Sequence, residues 1–165
     1  MSLIEYSPIG TIRSPHTELS GMPIQPTAAE GIEGSVVMLP EYQDGLRDLD
    51  GFSHIILLYH LHKSQGYSLT VTPFLDTEER GLFATRAPKR PNPIGLSVVR
   101  LVSANENILH IKDVDILDGT PLLDIKPYVP AMRPHKHIRT GWLESVDAKR
   151  IQRQKSDNRF GKMKK

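Results

Sequence analysis

The sequence predicts a mainly β domain with a few short helices and long loops, arranged either as a barrel or as a sandwich. Short strand-like runs recur along the chain, and turn residues separate them. Thirteen prolines and twelve glycines punctuate the 165 residues, whereas helical signals are weak. The length and the ordinary hydrophobic fraction of 38% allow a single domain with its own core.

Seven runs carry the strand pattern. In chain order they lie at residues 9–13, 35–39, 54–60, 69–72, 82–85, 96–102 and 108–116. Residues 41–49 can form two helical turns, and a polar helix is predicted from Val146 onward. We therefore divide the chain into a β domain at residues 1–145 and a basic C-terminal helix or tail at residues 146–165.

The net charge of +2 hides a basic C-terminus. Residues 148–165 hold eight Lys or Arg and the single acid Asp157, so the rest of the chain is net acidic. This segment is either an electrostatic arm for phosphates or a solvated terminus. The absence of cysteine excludes disulfides and thiolate zinc sites. Because the sequence has neither a secretory signal nor an apolar run long enough for a bilayer, we expect a cytoplasmic protein without a membrane partner.

A proline-rich loop between two predicted strands is the most unusual segment. Pro88, Pro91 and Pro93 remove backbone freedom from it. Such rigidity would pre-position four polar side chains for a ligand, namely Arg86, Lys89, Arg90 and Asn92. The alternative is a strand crossover whose charges are merely solvated.

A second polar segment follows the turn at Asp118 and Gly119. In the extended run behind this turn, Asp124, Lys126 and Tyr128 share one face. These three residues form either a functional constellation or an exposed strand with an ordinary ion pair.

Two His-x-His pairs raise the question of a metal site. They are His60 with His62 and His135 with His137. A metal is disfavoured because further ligands would have to come from acids without a recognisable spacing. The glycine fingerprints of Rossmann and P-loop nucleotide sites are also missing from the sequence.

Four ordered motifs resemble those of the TrmO/TsaA-like family. The hallmark is residues 81–97 (GLFATRAPKRPNPIGLS), and residues 9–15, 51–54 and 118–128 are similar to the remaining motifs. The resemblance implies a small, mostly antiparallel β-barrel that binds S-adenosylmethionine as a homodimer and needs no metal. It also implies methylation of N6 of threonylcarbamoyl-adenosine next to the anticodon of threonine tRNA. The family's longer bacterial members carry an additional C-terminal domain, which leaves the exact substrate of this chain open.

The resemblance also assigns candidate residues. The implied cofactor contacts are Pro26, Thr27, Ala28, His62, Lys63, Arg86, Val98, Leu117, Asp118, Gly119 and Thr120. Among these, Arg86 offers the better fork for the methionine carboxylate. The candidates for a catalytic role, none with a firm assignment, are Asn92, Asp124, Lys126 and Tyr128. The candidates for RNA contact are Lys89, Arg90, Arg133, Lys136 and Arg139.

Two other functions are compatible with these residues. One is a non-catalytic β-barrel module that binds RNA or S-adenosylmethionine. The other is a metal-dependent hydrolase built on the His-x-His pairs, which ranks last.

Overall fold

A closed six-stranded antiparallel barrel forms the body of the protein. The computed structural model describes residues 3–132 and 138–160. Its strands are β1 (Gly10–Arg13), β2 (Glu33–Met38), β3 (His54–His60), β4 (Thr70–Val71), β5 (Arg80–Gly81), β6 (Ile94–Asn105), β7 (Ile108–Lys112) and β8 (Thr120–Pro127). The barrel order is β1-β2-β7-β6-β3-β8, and β4 and β5 pair separately. The prediction of a mainly β, mostly antiparallel barrel is confirmed.

Alternating burial on the strands explains why the sheet closes around a core. On β6, Ser97, Val99 and Leu101 are buried, whereas Leu96 and Arg100 are exposed. This period of two directs one face of the strand into the barrel and the other outward. The fully buried side chains of the core come from most barrel strands and include Ile12, Val36, Ile55, Leu57, Val99, Leu109, Ile111 and Leu122.

Helical structure is short. The α-helix α1 spans Ala148–Arg153, and the Asp147 carboxylate caps it by accepting a 2.8 Å hydrogen bond from Lys149 N. Short 3-10 helices lie at Pro26–Ala28, Pro40–Leu46, Leu49–Gly51, Leu82–Ala84, Pro130–Met132, Gly141–Ser145 and Asn158–Phe160. The turns expected at residues 41–49 and the helix expected after Val146 are therefore present, the former as 3-10 helix.

One predicted strand is wrong. Residues 82–85 form a 3-10 turn, because both the amide and the hydroxyl of Thr85 donate to the Leu82 carbonyl, at 3.0 and 2.8 Å. The strand that precedes this turn consists of Arg80–Gly81 alone. A local side-chain hydrogen bond thus overrides the apolar pattern of the segment.

The C-terminal segment packs across one end of the barrel. Ser156 exchanges backbone hydrogen bonds with the 21–22 loop, from Gly21 N to Ser156 O and from Ser156 N to Met22 O, both at 2.8 Å. Arg159 Nη1 donates to Pro73 O at 2.8 Å, and the Phe160 ring meets Phe74 edge-on with centroids 5.1 Å apart. Residues 141–160 are called the C-terminal strap below. In the described ranges, no helix has the length and apolar character that a membrane crossing requires.

Candidate active site

A cavity of about 680 Å³ opens at the end of the barrel that the C-terminal strap crosses. Three loops, at residues 19–25, 73–75 and 83–90, contribute to its walls together with the start of β6. The C-terminal strap closes it with Trp142, Ile151 and Phe160. This volume lies within the range that small-molecule sites occupy, and the mostly apolar wall with a few polar groups is typical of them.

A second, smaller cavity of about 100 Å³ adjoins the first. The two share wall residues that include Tyr59, Leu61, Pro88 and Asp115. They are therefore two lobes of one space, called the large lobe and the small lobe below.

The floor between the lobes carries a hydrogen-bonded chain of three polar side chains. Ser97 Oγ donates to Asp115 Oδ1 at 2.6 Å, and the Tyr59 hydroxyl lies 3.0 Å from Ser97 Oγ. Since the one proton of Ser97 is used on the carboxylate, the Tyr59 hydroxyl donates to Ser97. Ser97 and Tyr59 are only 1% and 7% exposed, so the chain is rigidly enclosed.

Gly95 makes room for this chain. A Cβ atom at position 95 would lie 2.1 Å from Cε2 of Tyr59, so the tyrosine ring crosses β6 at a position where any side chain would collide with it. Tyr59 and Gly95 are direct cross-strand partners on β3 and β6. The glycine thus permits the ring orientation that brings the Tyr59 hydroxyl to Ser97.

Burial shifts the ionisation of the floor. It raises the pKa of the Asp115 carboxyl to about 6, while the hydrogen bond from Ser97 and then the charges of Arg86 and His16 oppose that shift. Burial, and next the Asp115 charge, raise the pKa of the Tyr59 phenol above its usual value. Asp115 is therefore a carboxylate at neutral pH that accepts a proton readily.

The proline-rich loop is braced beside the large lobe. Arg86 Nη2 donates to Leu96 O at 2.5 Å, and its side chain lines the lobe. Arg90 Nη1 donates to the carbonyls of Thr85 and Ala87 at 3.1 and 3.3 Å, and its guanidinium lies 5.6 Å from the Phe83 ring centroid. These bonds agree with the expected stiffness of the loop.

Several predicted cofactor residues meet in this space. His62, Lys63, Leu117 and Thr120 line the small lobe, and Arg86 lines the large one. Thr120 Oγ1 lies 3.4 Å from His62 Nδ1 and donates to Leu117 O at 2.7 Å. Burial, followed by the charges of Lys63 and His60, lowers the pKa of His62, which is therefore neutral at pH 7.

The other predicted cofactor residues do not line either lobe. Pro26, Thr27 and Ala28 form a 3-10 helix that follows Gln25, a wall residue of the large lobe. Gly119 takes a positive φ of 73° in the turn before β8, and Asp118 accepts a 3.1 Å hydrogen bond from Ser14 N. Val98 lies on the outer face of β6, opposite to Ser97.

None of the four candidates for catalysis lines the cavity. Asp124 and Lys126 lie on the outer face of β8 and pair with each other at 2.7 Å. Asn92 is exposed, and Tyr128 is half-buried with its amide donating to His54 O at 3.1 Å. The expectation that Asp124 and Lys126 share a face holds, but this face points away from the two lobes.

The RNA and metal candidates are less well defined by the structure. Lys89 and Arg90 lie in the proline-rich loop and Arg139 is exposed. Arg133, Lys136, His135 and His137 lie outside the described residues. The His62 amide donates to His60 O at 2.8 Å in a tight turn, so these two residues are not on one extended strand. Within residues 3–132 and 138–160, no group of three potential metal ligands occurs.

Asp115 was not predicted from the sequence. A signal for it does exist, because Asp115 stands between Val114 and Ile116, which are 0% and 2% exposed. An acid between two core residues is rarely left in such a position without a partner or a function.

Comparison with known proteins gives a consistent result. The model of the tRNA-methyltransferase O N-terminal domain matches residues 11–133. A probable S-adenosyl-L-methionine-binding protein of Pyrococcus abyssi is 54% identical over 158 residues, which are 96% of this chain and 85% of the relative. The tRNA (adenine(37)-N6)-methyltransferase of Escherichia coli is 38% identical, with 90% of this chain and 67% of the relative covered.

Solved structures agree with this. The crystal structure of TrmO from Pseudomonas aeruginosa superposes with a TM-score of 0.72 at 38% identity and covers 86% of this chain. A further TrmO crystal structure gives a TM-score of 0.73 at 41% identity and covers 85% of this chain. The matched part amounts to 63% and 64% of these two solved chains.

Proposed function

Because the chain belongs to the family of the tRNA-methyltransferase O N-terminal domain, we propose that it methylates N6 of an adenine in tRNA with S-adenosylmethionine as the donor. The observation that carries this proposal is the two-lobed cavity, in which a cation of the proline-rich loop and four further predicted cofactor residues meet. The finer proposal is that the target is threonylcarbamoyl-adenosine next to the anticodon of threonine tRNA. Such a substrate would place the activity in the cytoplasm.

The lining residues suit the chemical groups of the donor. Arg86 has five N–H donors, of which Nη2 is engaged with Leu96 O, so further donors can hold the methionine carboxylate. Lys63 adds a second cation in the small lobe, where His62 and Thr120 supply polar contacts. The apolar wall of the large lobe accepts a flat ring. The donor supplies an electrophilic methyl group, and the enclosed walls exclude water from it.

The predicted contacts outside the lobes remain proposals. Pro26, Thr27, Ala28, Asp118 and Gly119 border the cavity only through neighbouring residues. Val98 would need a second copy of the chain to reach a donor, since it faces outward on β6. Asn92, Asp124, Lys126 and Tyr128 would act at the cavity only through a substrate or partner that spans both places.

We also propose the homodimer that the resemblance implies. Its support is an apolar stripe on the outer face of β6, where Ile94 and Leu96 are each 42% exposed and Val102 is 54% exposed. Val98 lies between them. A patch of this kind on one strand face is typical of an interface.

Contact with tRNA is proposed for cations around the cavity mouth. Lys89, Arg90 and Arg139 supply charge there, and Arg133 and Lys136 are included from the sequence. The basic residues of α1 on the C-terminal strap extend this surface.

The test is methyl transfer with isotopically labelled donor. The protein is incubated with total tRNA that either carries or lacks the threonylcarbamoyl group, and the labelled nucleoside is identified. Label on N6 only with the modified tRNA supports the finer proposal, and label on both tRNAs supports the coarser one. Binding of the donor without any transfer would favour a non-catalytic module that binds RNA or S-adenosylmethionine.

Binding by calorimetry tests the site itself. We expect Arg86→Ala to weaken the affinity for S-adenosylmethionine by about tenfold to a hundredfold, the usual cost of losing a charge-assisted hydrogen bond. Arg100→Ala is the matched control, because Arg100 is exposed on the outer face of β6 and pairs only with Asp113. Equal affinity of the two variants would contradict the site.

A further inference from the structure

One charged group of the cavity has no role in donor binding as proposed above. The Asp115 carboxylate lines both the large and the small lobe. Among the described wall residues of the two lobes it is the sole acid, whereas the cations Lys63, Arg86 and Arg90 surround it. It therefore stands where the space for the donor and the space for a second reactant meet.

The hydrogen-bonded chain of the floor orients this carboxylate. Tyr59 donates to Ser97, and Ser97 donates to Oδ1 of Asp115. Within the described residues, no other side chain donates to Asp115, and no salt bridge reaches it. Asp115 retains partial exposure, and the cavity accounts for it. Its Oδ2 is consequently available to a ligand.

A purely structural role explains this arrangement poorly. Removing a carboxylate from water costs free energy unless a cation or several donors compensate for it. Here a single hydroxyl donor compensates, and Arg86 and His16 act only through their charge at longer range. Side chains that are costly to the fold and that face a cavity are candidates for function.

We propose that Asp115 is a catalytic residue that accepts the proton from the exocyclic nitrogen of the target adenine. This inference rests on the proposed function. As the nitrogen lone pair forms the new bond to the methyl carbon, the carbon–sulfur pair leaves with the sulfur, which becomes a neutral thioether. The N–H pair stays on nitrogen, and its proton passes to Oδ2 of Asp115 and then to solvent. A carbamoyl-substituted nitrogen has little basicity, so removal of its proton assists the attack more than usual.

Several titratable groups face Asp115 and set its protonation. Tyr59 from β3 and Ser97 from β6 form the chain, Arg86 comes from the proline-rich loop, and His16 comes from the loop after β1. His62 and Lys63 approach from the small lobe. Because the hydrogen bond from Ser97 lowers the pKa of Asp115, removal of that hydroxyl raises the pKa further above its position near 6.

The first experiment compares Asp115→Asn with Asp113→Asn. The control makes the same chemical change two residues away, at an acid that pairs with Arg100 and has a positive φ of 67°, which asparagine tolerates. For Asp115→Asn we expect kcat on tRNA to fall by about a hundredfold to ten thousandfold, the usual worth of a general base. The affinity for S-adenosylmethionine should stay within about threefold of the parent, because the base acts on the other reactant. The control should keep kcat.

The second experiment uses Ser97→Ala, which retains the carboxylate. The titration of the Asp115 carboxyl carbon, followed by NMR in the protein without ligands, should lie near pH 6 in the parent. It should move to higher pH in Ser97→Ala. The acidic limb of the kcat profile should move with it, which a structural role alone would not produce.

The outcomes separate the two proposals. If the parent transfers no methyl group to any tRNA, the proposed function fails and the inference fails with it. If the parent is active and Asp115→Asn keeps kcat within threefold, only the inference fails. A parallel loss of donor affinity in Asp115→Asn would also overturn it, since the carboxylate would then hold the donor. An acidic limb that ignores the NMR titration would have the same effect.

Discussion

Adding a single methyl group at Gly95 perturbs the cavity floor most directly. The new Cβ would lie 2.1, 2.5 and 2.7 Å from three ring atoms of Tyr59, well inside contact distance. The ring is only 7% exposed and belongs to the core of the barrel, so it cannot swing into solvent. Either the ring leaves its place or the β3 and β6 backbones separate.

The magnitude follows from these two costs. Overpacking in a core costs about 1–3 kcal/mol. Displacing the ring also breaks the hydrogen bond from the Tyr59 hydroxyl to Ser97, which is worth about 1 kcal/mol. We therefore expect Gly95→Ala to lower the free energy of unfolding by about 2–4 kcal/mol. Gly81→Ala is the control, because a Cβ there meets nothing within 4 Å.

Denaturant unfolding with a double-mutant cycle gives the decisive measurement. In a Tyr59→Ala background the obstructing ring is gone, so adding Gly95→Ala should cost less than about 1 kcal/mol. The two substitutions are then strongly non-additive. If Gly95→Ala destabilises the parent and the Tyr59→Ala background equally, the collision with Tyr59 is not the cause and our account of the floor is wrong.

Three further outcomes are expected. The folded pKa of Asp115, near 6, exceeds its ordinary 3.8, so the stability contributed by this group is greatest below about pH 4 and is lost as pH rises to about 6; Asp115→Asn should flatten that part of the curve of melting temperature against pH. Replacing the exposed α1 cations Lys149, Arg150 and Arg153 with glutamine should reduce the salt dependence of tRNA binding by about 0.9 in log–log slope per lost phosphate contact, and an unchanged slope would remove α1 from the RNA surface. Leu96→Lys should convert the proposed dimer to monomer in sedimentation, whereas Val37→Lys, a half-buried change on β2, should leave the assembly state as it is.

Much of the barrel could be predicted from alternation along single strands. The run at residues 54–60 became β3 with the predicted bounds, because each inward residue is apolar and the flanks are turns. The same logic placed Asp124 and Lys126 on a common face but could not say which face. That choice depends on the pairing of β8 with β3, where a register shift occurs between Leu58 and Tyr59.

The site was less predictable, because its parts are distant in sequence. The motifs identified the proline-rich loop and the turn at residues 117–120, which do contribute Arg86, Leu117 and Thr120 to the cavity. Asp115 escaped notice because its importance arises from Ser97 on another strand. The strap over the cavity depends on contacts such as Trp142 Nε1 to Ala84 O at 2.8 Å, which no local pattern signals.

The two parts of the cavity differ in the way they are held. The floor groups Tyr59 and Ser97 lie on paired barrel strands, where cross-strand hydrogen bonds fix the backbone on both sides. The walls consist of loops and of the C-terminal strap, which rests on few backbone hydrogen bonds. A site built in this way keeps the proton acceptor in one geometry while the walls adapt to a large substrate. Substitutions in the floor should therefore lower kcat, whereas substitutions such as Phe160→Ala in the strap should mainly raise KM.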